Sequence, residues 1–256
     1  MDLMQFKHFL LEEEAHAFSG WDFSHLKGRW RGEDLLWDYE TLVRRRMAPH
    51  SRLLDIGTGG GEFLLELGHP HALTSATEGW PPNLALCRQR LMPLGIDVRE
   101  SSDEGGPLPF ADGSFDLVID RHAAYDPAEV TRVLAPGGWF VTQQVGGRND
   151  EELSRALAPD FSSPYPLATL AVARAALAAA GLAVEQAAES FTPLRFYDVG
   201  AVVFFAKAIP WEFPGFSVQR AFGVLCALQR QLERAGYIQC TEHRYLLVAQ
   251  KPVRRS

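Results

Sequence analysis

Cysteine is scarce in this chain: Cys87, Cys226 and Cys240 are the only three in 256 residues, and they lie far apart. Their spacing fits neither a metal-ligand set nor an even disulfide framework, so a reducing compartment, the cytoplasm, is expected. Long hydrophobic runs are also missing. The most apolar stretch, residues 199–209, is about half a membrane span and includes Lys207, so no transmembrane helix is expected. Near the N-terminus, Asp2, Lys7 and Glu12-Glu13-Glu14 stand where a signal peptide needs an apolar core behind positive charge, and none is expected. Basic residues are in the minority, with 25 Lys and Arg against 32 Asp and Glu and a net charge of −7. They cluster only at Arg44-Arg45-Arg46 and Arg254-Arg255, which argues against a broad phosphate-binding surface and against nucleic acid as a partner. The scattered His8, His16, His69 and His71 make no metal-ligand set. Internal repeats and low-complexity linkers are absent. The length suits one large α/β domain or a domain with an extra lobe, and a hydrophobic content of 46% suffices for a substantial core.

What is present centres on Leu53-Leu54-Asp55-Ile56-Gly57-Thr58-Gly59-Gly60-Gly61-Glu62-Phe63-Leu64. It reads as a buried strand, a glycine turn and the first turn of a helix. Glycine lets the chain reverse tightly and lets a ligand approach bare backbone, and a helix opening there presents free N–H groups. A dinucleotide fingerprint starting at Gly57 needs glycine at position 62, which is Glu62. The pattern is instead acid-x-G-x-G-x-G, with Asp55 closing the strand.

From here strands and helices alternate. Strands are expected over 53–56, 71–77, 96–99, 115–120 and 139–145, with helices over 62–67, 84–91 and 127–134 between them. Joined by short polar turns, these imply a parallel, doubly wound sheet. Upstream, helices are expected over 1–17 and 33–47. Downstream come a short helix over 150–157 and an alanine-rich helix over 167–180, apolar nearly all round and so expected to be buried. A sixth strand over 182–191 and a last one over 244–250 flank an insertion with Phe196, Tyr197, Phe204, Phe205, Trp211, Phe213 and Phe216. Within it Ser217 caps a helix that Gly236 ends. The boundaries are 1–50 for a helical cap, 51–147 for a cofactor-binding core and 148–256 for the rest of the sheet, with the aromatic insertion at about 192–216.

The glycine turn is similar to motif I of the class I S-adenosylmethionine (SAM) dependent methyltransferases. Two further segments resemble that family in the right order: Leu108-Pro109-Phe110-Ala111-Asp112-Gly113-Ser114-Phe115-Asp116, and Glu129 through Ala135-Pro136-Gly137-Gly138. Together they cover roughly residues 50–145. The resemblance implies a Rossmann-like α/β fold, a seven-stranded mostly parallel sheet with helices on both faces and an antiparallel last strand. It implies SAM as methyl donor, with S-adenosylhomocysteine as product. Asp55, Gly57, Thr58, Gly59, Glu78, Gly79, Ser102, Asp103 and Arg121 are the implied cofactor-binding residues. Glu78 follows the turn by about twenty residues, where a carboxylate can accept both ribose hydroxyls.

The chain departs from the family in two places. The loop from Ser101 to Pro107 is longer and richer in glycine, so either Asp103 or Glu104 could face adenine. After the 115–120 strand the chain reads Asp120-Arg121-His122-Ala123. The N/D-P-P-aromatic motif of base- and amide-methylating members is missing, which argues against those acceptors. His122 stands where a proton acceptor for catalysis could lie, although a polar loop residue is the plainer reading. The expected function is methyl transfer from SAM to a small-molecule acceptor. An RNA or protein methyltransferase and a non-enzymatic SAM-binding regulator are the alternatives. Three tryptophans, Trp21, Trp30 and Trp37, and the insertion's rings serve either as packing or as walls of an acceptor pocket.

Overall fold

The computed structural model describes residues 2–18, 22–158 and 160–253; Trp21 and Arg254-Arg255 lie outside them. The strands are β1 (Trp30–Gly32), β2 (Leu53–Ile56), β3 (Thr74–Glu78), β4 (Asp97–Glu100), β5 (Phe115–Arg121), β6 (Leu134–Val145), β7 (Ala183–Phe196) and β8 (Ile238–Gln250). The α-helices are α1 (Leu3–Ala15), α2 (Tyr39–Arg44), α3 (Glu62–Glu66), α4 (Pro81–Leu91), α5 (Pro127–Val133), α6 (Glu151–Leu157), α7 (Leu170–Ala179), α8 (Val199–Ala208) and α9 (Val218–Ala235). The strand order is β1-β7-β8-β6-β5-β2-β3-β4. Pairing is parallel from β6 through β5, β2 and β3 to β4, and antiparallel between β8 and β6. This is the expected fold with eight strands rather than seven. The extra one, β1, is three residues long and pairs antiparallel with the end of β7.

The chain divides into two compact units, one of residues 36–145, 168–189 and 244–256, the other of 1–35, 146–167 and 190–243. In the first, strand alternation sends side chains to two cores. Leu53, Ile119, Val141 and Leu246 pack with Leu42, Val43, Leu84 and Leu91 of α2 and α4. Their neighbours Leu54, Val118, Phe140 and Leu247 pack with Val130, Val133 and Leu177 of α5 and α7. Helices therefore cover both faces.

The second unit has its own core. Phe196, Phe204, Phe205, Phe213 and Phe216 are buried there with Phe6, Leu10, Val203 and Leu225. The phenylalanine rings of this segment pack into that core, while Trp211 and Tyr197 stay exposed. Asp2 caps α1 through the amides of Met4 and Gln5.

Several boundaries move. The strand expected from 71 begins at Thr74, because His71–Leu73 forms a 3-10 turn after Pro70. The helix expected over 33–47 shrinks to α2, where the Asp38 carboxylate accepts from Thr41 N–H and sets the start. The alanine-rich helix is not buried all round. Leu177 is its only fully buried residue and Val172 is exposed, since small side chains bring little apolar area to bury.

Candidate active site

The register puts four strand ends side by side. Ile56 lies opposite Thr77 on one side and Asp120 on the other, and Glu78 lies opposite Glu100. The loops leaving these ends form the site, at the carboxyl edge where ligands bind in open α/β sheets.

The spacing of the glycine motif has a backbone explanation. Gly57, Gly59 and Gly61 have φ of 65°, 63° and 81°, so every second residue of the turn is left-handed. Thr58 N–H donates to Thr77 O and Gly61 N–H to Thr58 O, which tie the turn to β3 and to itself. A Cβ on Gly57 would lie 2.3 Å from that of Ala123.

Asp55 is 5% exposed. Burial, with the Glu78 carboxylate nearby, pushes its pKa up to about 7, against the pull of Thr58 and Arg121. The Arg121 guanidinium lies over the Phe63 ring at 4.5 Å.

Glu78 is buried and its carboxylate is engaged by backbone. Oε2 accepts from Gly59 N–H at 2.7 Å, and Oε1 from Gly79 and Trp80 N–H at 2.9 Å each. It links the glycine turn to the end of β3. A Cβ on Gly79 would lie 2.5 Å from Asp103 N and 2.8 Å from Ser101 O, so the next loop packs directly on this backbone.

That loop encloses a cavity of about 10 Å³, lined by Ile56, Ser101, Ser102, Gly106, Leu108 and Tyr125 among others. Asp103 and Glu104 are both exposed, and neither lines it. The cavity's floor is held by a clamp that sequence reasoning missed. Arg132 donates to Leu108 O and Phe110 O, and Glu129 accepts from Leu108 N–H and pairs with Arg132. An acid and an arginine three residues apart on α5 were the available signal.

Near the end of β5, Asp120 is fully buried, which raises its pKa well above the usual carboxylate range. It accepts from Ala123 N–H and Gln144 Nε2. The turn it closes holds His122 at φ 70°. Gln143 Nε2 lies 3.0 Å from His122 Nε2, and Trp37 Nε1–H donates to Gln143 Oε1 at 2.8 Å. Nothing in the sequence marked Gln143 or this use of Trp37.

The structure thus brings Asp55, Gly57, Thr58, Gly59, Glu78 and Gly79 together, with Ser102 in the cavity wall and Asp103 against Gly79. Among the described residues no cluster of His, Cys, Asp or Glu could hold a metal, and no helix is long and apolar enough to cross a membrane.

Residues 54–142 match the family model described as a methyltransferase domain. Over 119 residues the chain is 35% identical to a demethylmenaquinone methyltransferase of Thermus thermophilus, covering 43% of this chain and 54% of the relative. The enzyme of the same name in Deinococcus radiodurans is 34% identical over 119 residues, with 43% and 49% covered. The chain spans about half the length of these relatives. Among solved structures, the YcgJ protein of Bacillus subtilis superposes with a TM-score of 0.57 at 19% identity, covering 84% of this chain and 98% of that one. A candidate methyltransferase from Bacillus halodurans also gives 0.57, at 15% identity, with 84% and 99% covered. Residues 54–142 thus match the methyltransferase-domain model, and the chain shares the Rossmann-like α/β fold of these solved structures.

Proposed function

We propose that this protein binds SAM at the Asp55–Gly61 turn and transfers its methyl group to a small-molecule acceptor. The observation that carries this reading is the alignment of a left-handed glycine turn, the buried Asp55 and the backbone-anchored Glu78 along one sheet edge. The donor set suits the ligand. Asp55 can face its amine and sulfonium charges, Glu78 its ribose, and the Ser102–Leu108 cavity its adenine. At about 10 Å³ that cavity has room for about one water at most, so the loop with Gly105 and Gly106 must open for a base to enter.

Bound SAM would supply an electrophilic methyl on sulfur. Its transfer would return the C–S bonding pair to sulfur and form the new bond from the acceptor's own pair, with the acceptor's proton leaving to bulk solvent as the product departs. The protein's part is to place the two reactants in line and exclude water. The acceptor is proposed to be small because the chain is acidic, with a net charge of −7, and two relatives are named for a quinone. Reduced demethylmenaquinone analogues are the first acceptors to assay, beside metabolite extracts and RNA, with labelled SAM. Calorimetry tests the donor: SAM and S-adenosylhomocysteine bind and NAD does not. Tight NAD binding without SAM binding overturns the assignment.

Asp55 adds a pH dependence to that binding. Its ionised form attracts the cationic ligand, so SAM affinity is full above pH 7 and falls by up to about tenfold per pH unit below it. Folding runs the other way. The raised pKa means that the stability Asp55 contributes is complete below the unfolded value near 4 and is lost as pH rises through 7. The stabilisation given by saturating SAM therefore increases from pH 5.5 to 8 in thermal melts. Asp55→Asn flattens that increase; an unaltered pH profile in this variant excludes Asp55 as its source.

A further inference from the structure

His122 is accessible to solvent, yet its side chain is held by Gln143. Its left-handed backbone costs on the order of 1 kcal/mol for a non-glycine residue and turns the imidazole onto Gln143. The hydrogen-bond chain from Trp37 then decides the tautomer. An indole nitrogen only donates, so the 2.8 Å contact from Trp37 Nε1 fixes the amide oxygen of Gln143 on the tryptophan side. The amide nitrogen is left facing His122 Nε2 at 3.0 Å, and an amide nitrogen also only donates. Nε2 must therefore accept, and the ring proton sits on Nδ1. Among the described residues Nδ1 has no hydrogen-bond partner, so its N–H is offered outward.

We infer that Trp37 and Gln143 are positioning residues that lock His122 as an Nδ1–H donor, which binds an electron-rich oxygen of the methyl acceptor. This rests on the methyltransferase reading above. It also replaces the expectation that His122 accepts a proton, because the lone pair on Nε2 is already engaged.

The surroundings agree. Enclosing protein, then Arg244 of β8 and Arg121 of β5, push the imidazole pKa down to about 3. The ring keeps accessible surface, so burial weighs less than it would in a sealed site, while both guanidinium charges act in the same direction. A protonated ring would set Nε2–H against the Gln143 amide N–H. The same two positive charges favour an acceptor oxygen that carries full or partial negative charge, such as a phenolate or a carboxylate.

Nitrogen-15 NMR of the full chain with labelled histidine tests this. His122 should show the neutral Nδ1–H tautomer from pH 5 to 9 without titrating. Gln143→Glu keeps the shape but accepts on both sides; it should move the proton to Nε2 and make the ring titrate at least about two pH units higher. Trp37→Phe frees the amide to rotate and should give mixed tautomers. Adding S-adenosylhomocysteine and 1,4-naphthoquinol to the wild type should shift the Nδ1 proton downfield. A wild-type His122 that titrates near its ordinary value, or a tautomer that Gln143→Glu leaves unchanged, overturns the lock. An unmoved Nδ1 proton overturns the donor role. Failure of the methyltransferase reading registers separately, as absence of S-adenosylhomocysteine binding in calorimetry.

Discussion

Gly57→Ala is expected to weaken SAM binding by at least about 100-fold, a loss of roughly 2.7 kcal/mol. Two penalties meet at this position. The backbone sits at φ 65°, where a Cβ crowds the following carbonyl. The new methyl would also lie 2.3 Å from Ala123 Cβ, a distance that forces one partner to move. Ala123 cannot retreat alone, because its N–H is held by Asp120 and its carbonyl by Gln144 Nε2. Displacing it moves the turn that carries His122, so both sides of the site shift together. Gly68→Ala is the control. Gly68 shares the φ of 65° but has nothing within 4 Å of its added Cβ, so it bears the strain without the collision. Calorimetry on both variants, with circular dichroism to confirm the fold, separates the two effects. SAM affinity within about threefold of wild type in a folded Gly57→Ala protein would place the ligand elsewhere.

Much of the core was readable because glycine and proline punctuate it. Gly57, Gly59 and Gly61 are needed by the backbone itself, and Pro81 and Pro127 open α4 and α5 as N-terminal prolines do. The four-residue β2 is buried throughout, and its apolar run, broken only by Asp55, survives in sequence. Beyond residue 145 the signal weakens for stated reasons. Strand β7, expected over 182–191, runs on to Phe196; most of its residues are at least partly exposed, so no hydrophobic alternation marks its extent. Strand β1 is three residues with Arg31 at its centre, and it exists only through its pairing with the distant Leu194–Phe196 stretch. The division into two units is equally non-local, since each is assembled from separate stretches of chain. In the site, the acid–glycine pattern was legible residue by residue. The partners of those residues were not: the Glu129–Arg132 clamp and the Trp37–Gln143 bond join groups whose identities carry no family signal.

Glu78→Ala shows how that hidden part changes an expected result. From the sequence alone the residue is a strand-end acid whose loss affects SAM and leaves the fold intact. In the structure its carboxylate accepts three backbone N–H groups and joins Gly59, itself buried, to the end of β3. Alanine leaves those donors without their charged partner. Hydrogen bonds to charged groups are worth about 1.5–3 kcal/mol each, and the backbone can recover part of the loss through water at Trp80, which is exposed. A net loss of roughly 2–3 kcal/mol follows, a fall in Tm of about 4–10 °C for a chain of this size. SAM affinity should drop by about 100-fold or more, because the ribose loses its acceptor and the glycine turn loses its anchor together. Glu78→Gln divides the two roles. Its remaining oxygen can still accept from Gly79 and Trp80, but its amide nitrogen faces the Gly59 N–H as a second donor. It should therefore melt between wild type and Glu78→Ala while binding SAM nearly as poorly as the alanine variant. A Glu78→Ala protein that melts like wild type would remove the anchoring role. A Glu78→Gln protein with wild-type SAM affinity would remove the carboxylate from ligand recognition, because the amide keeps the size and loses only the charge and one acceptor.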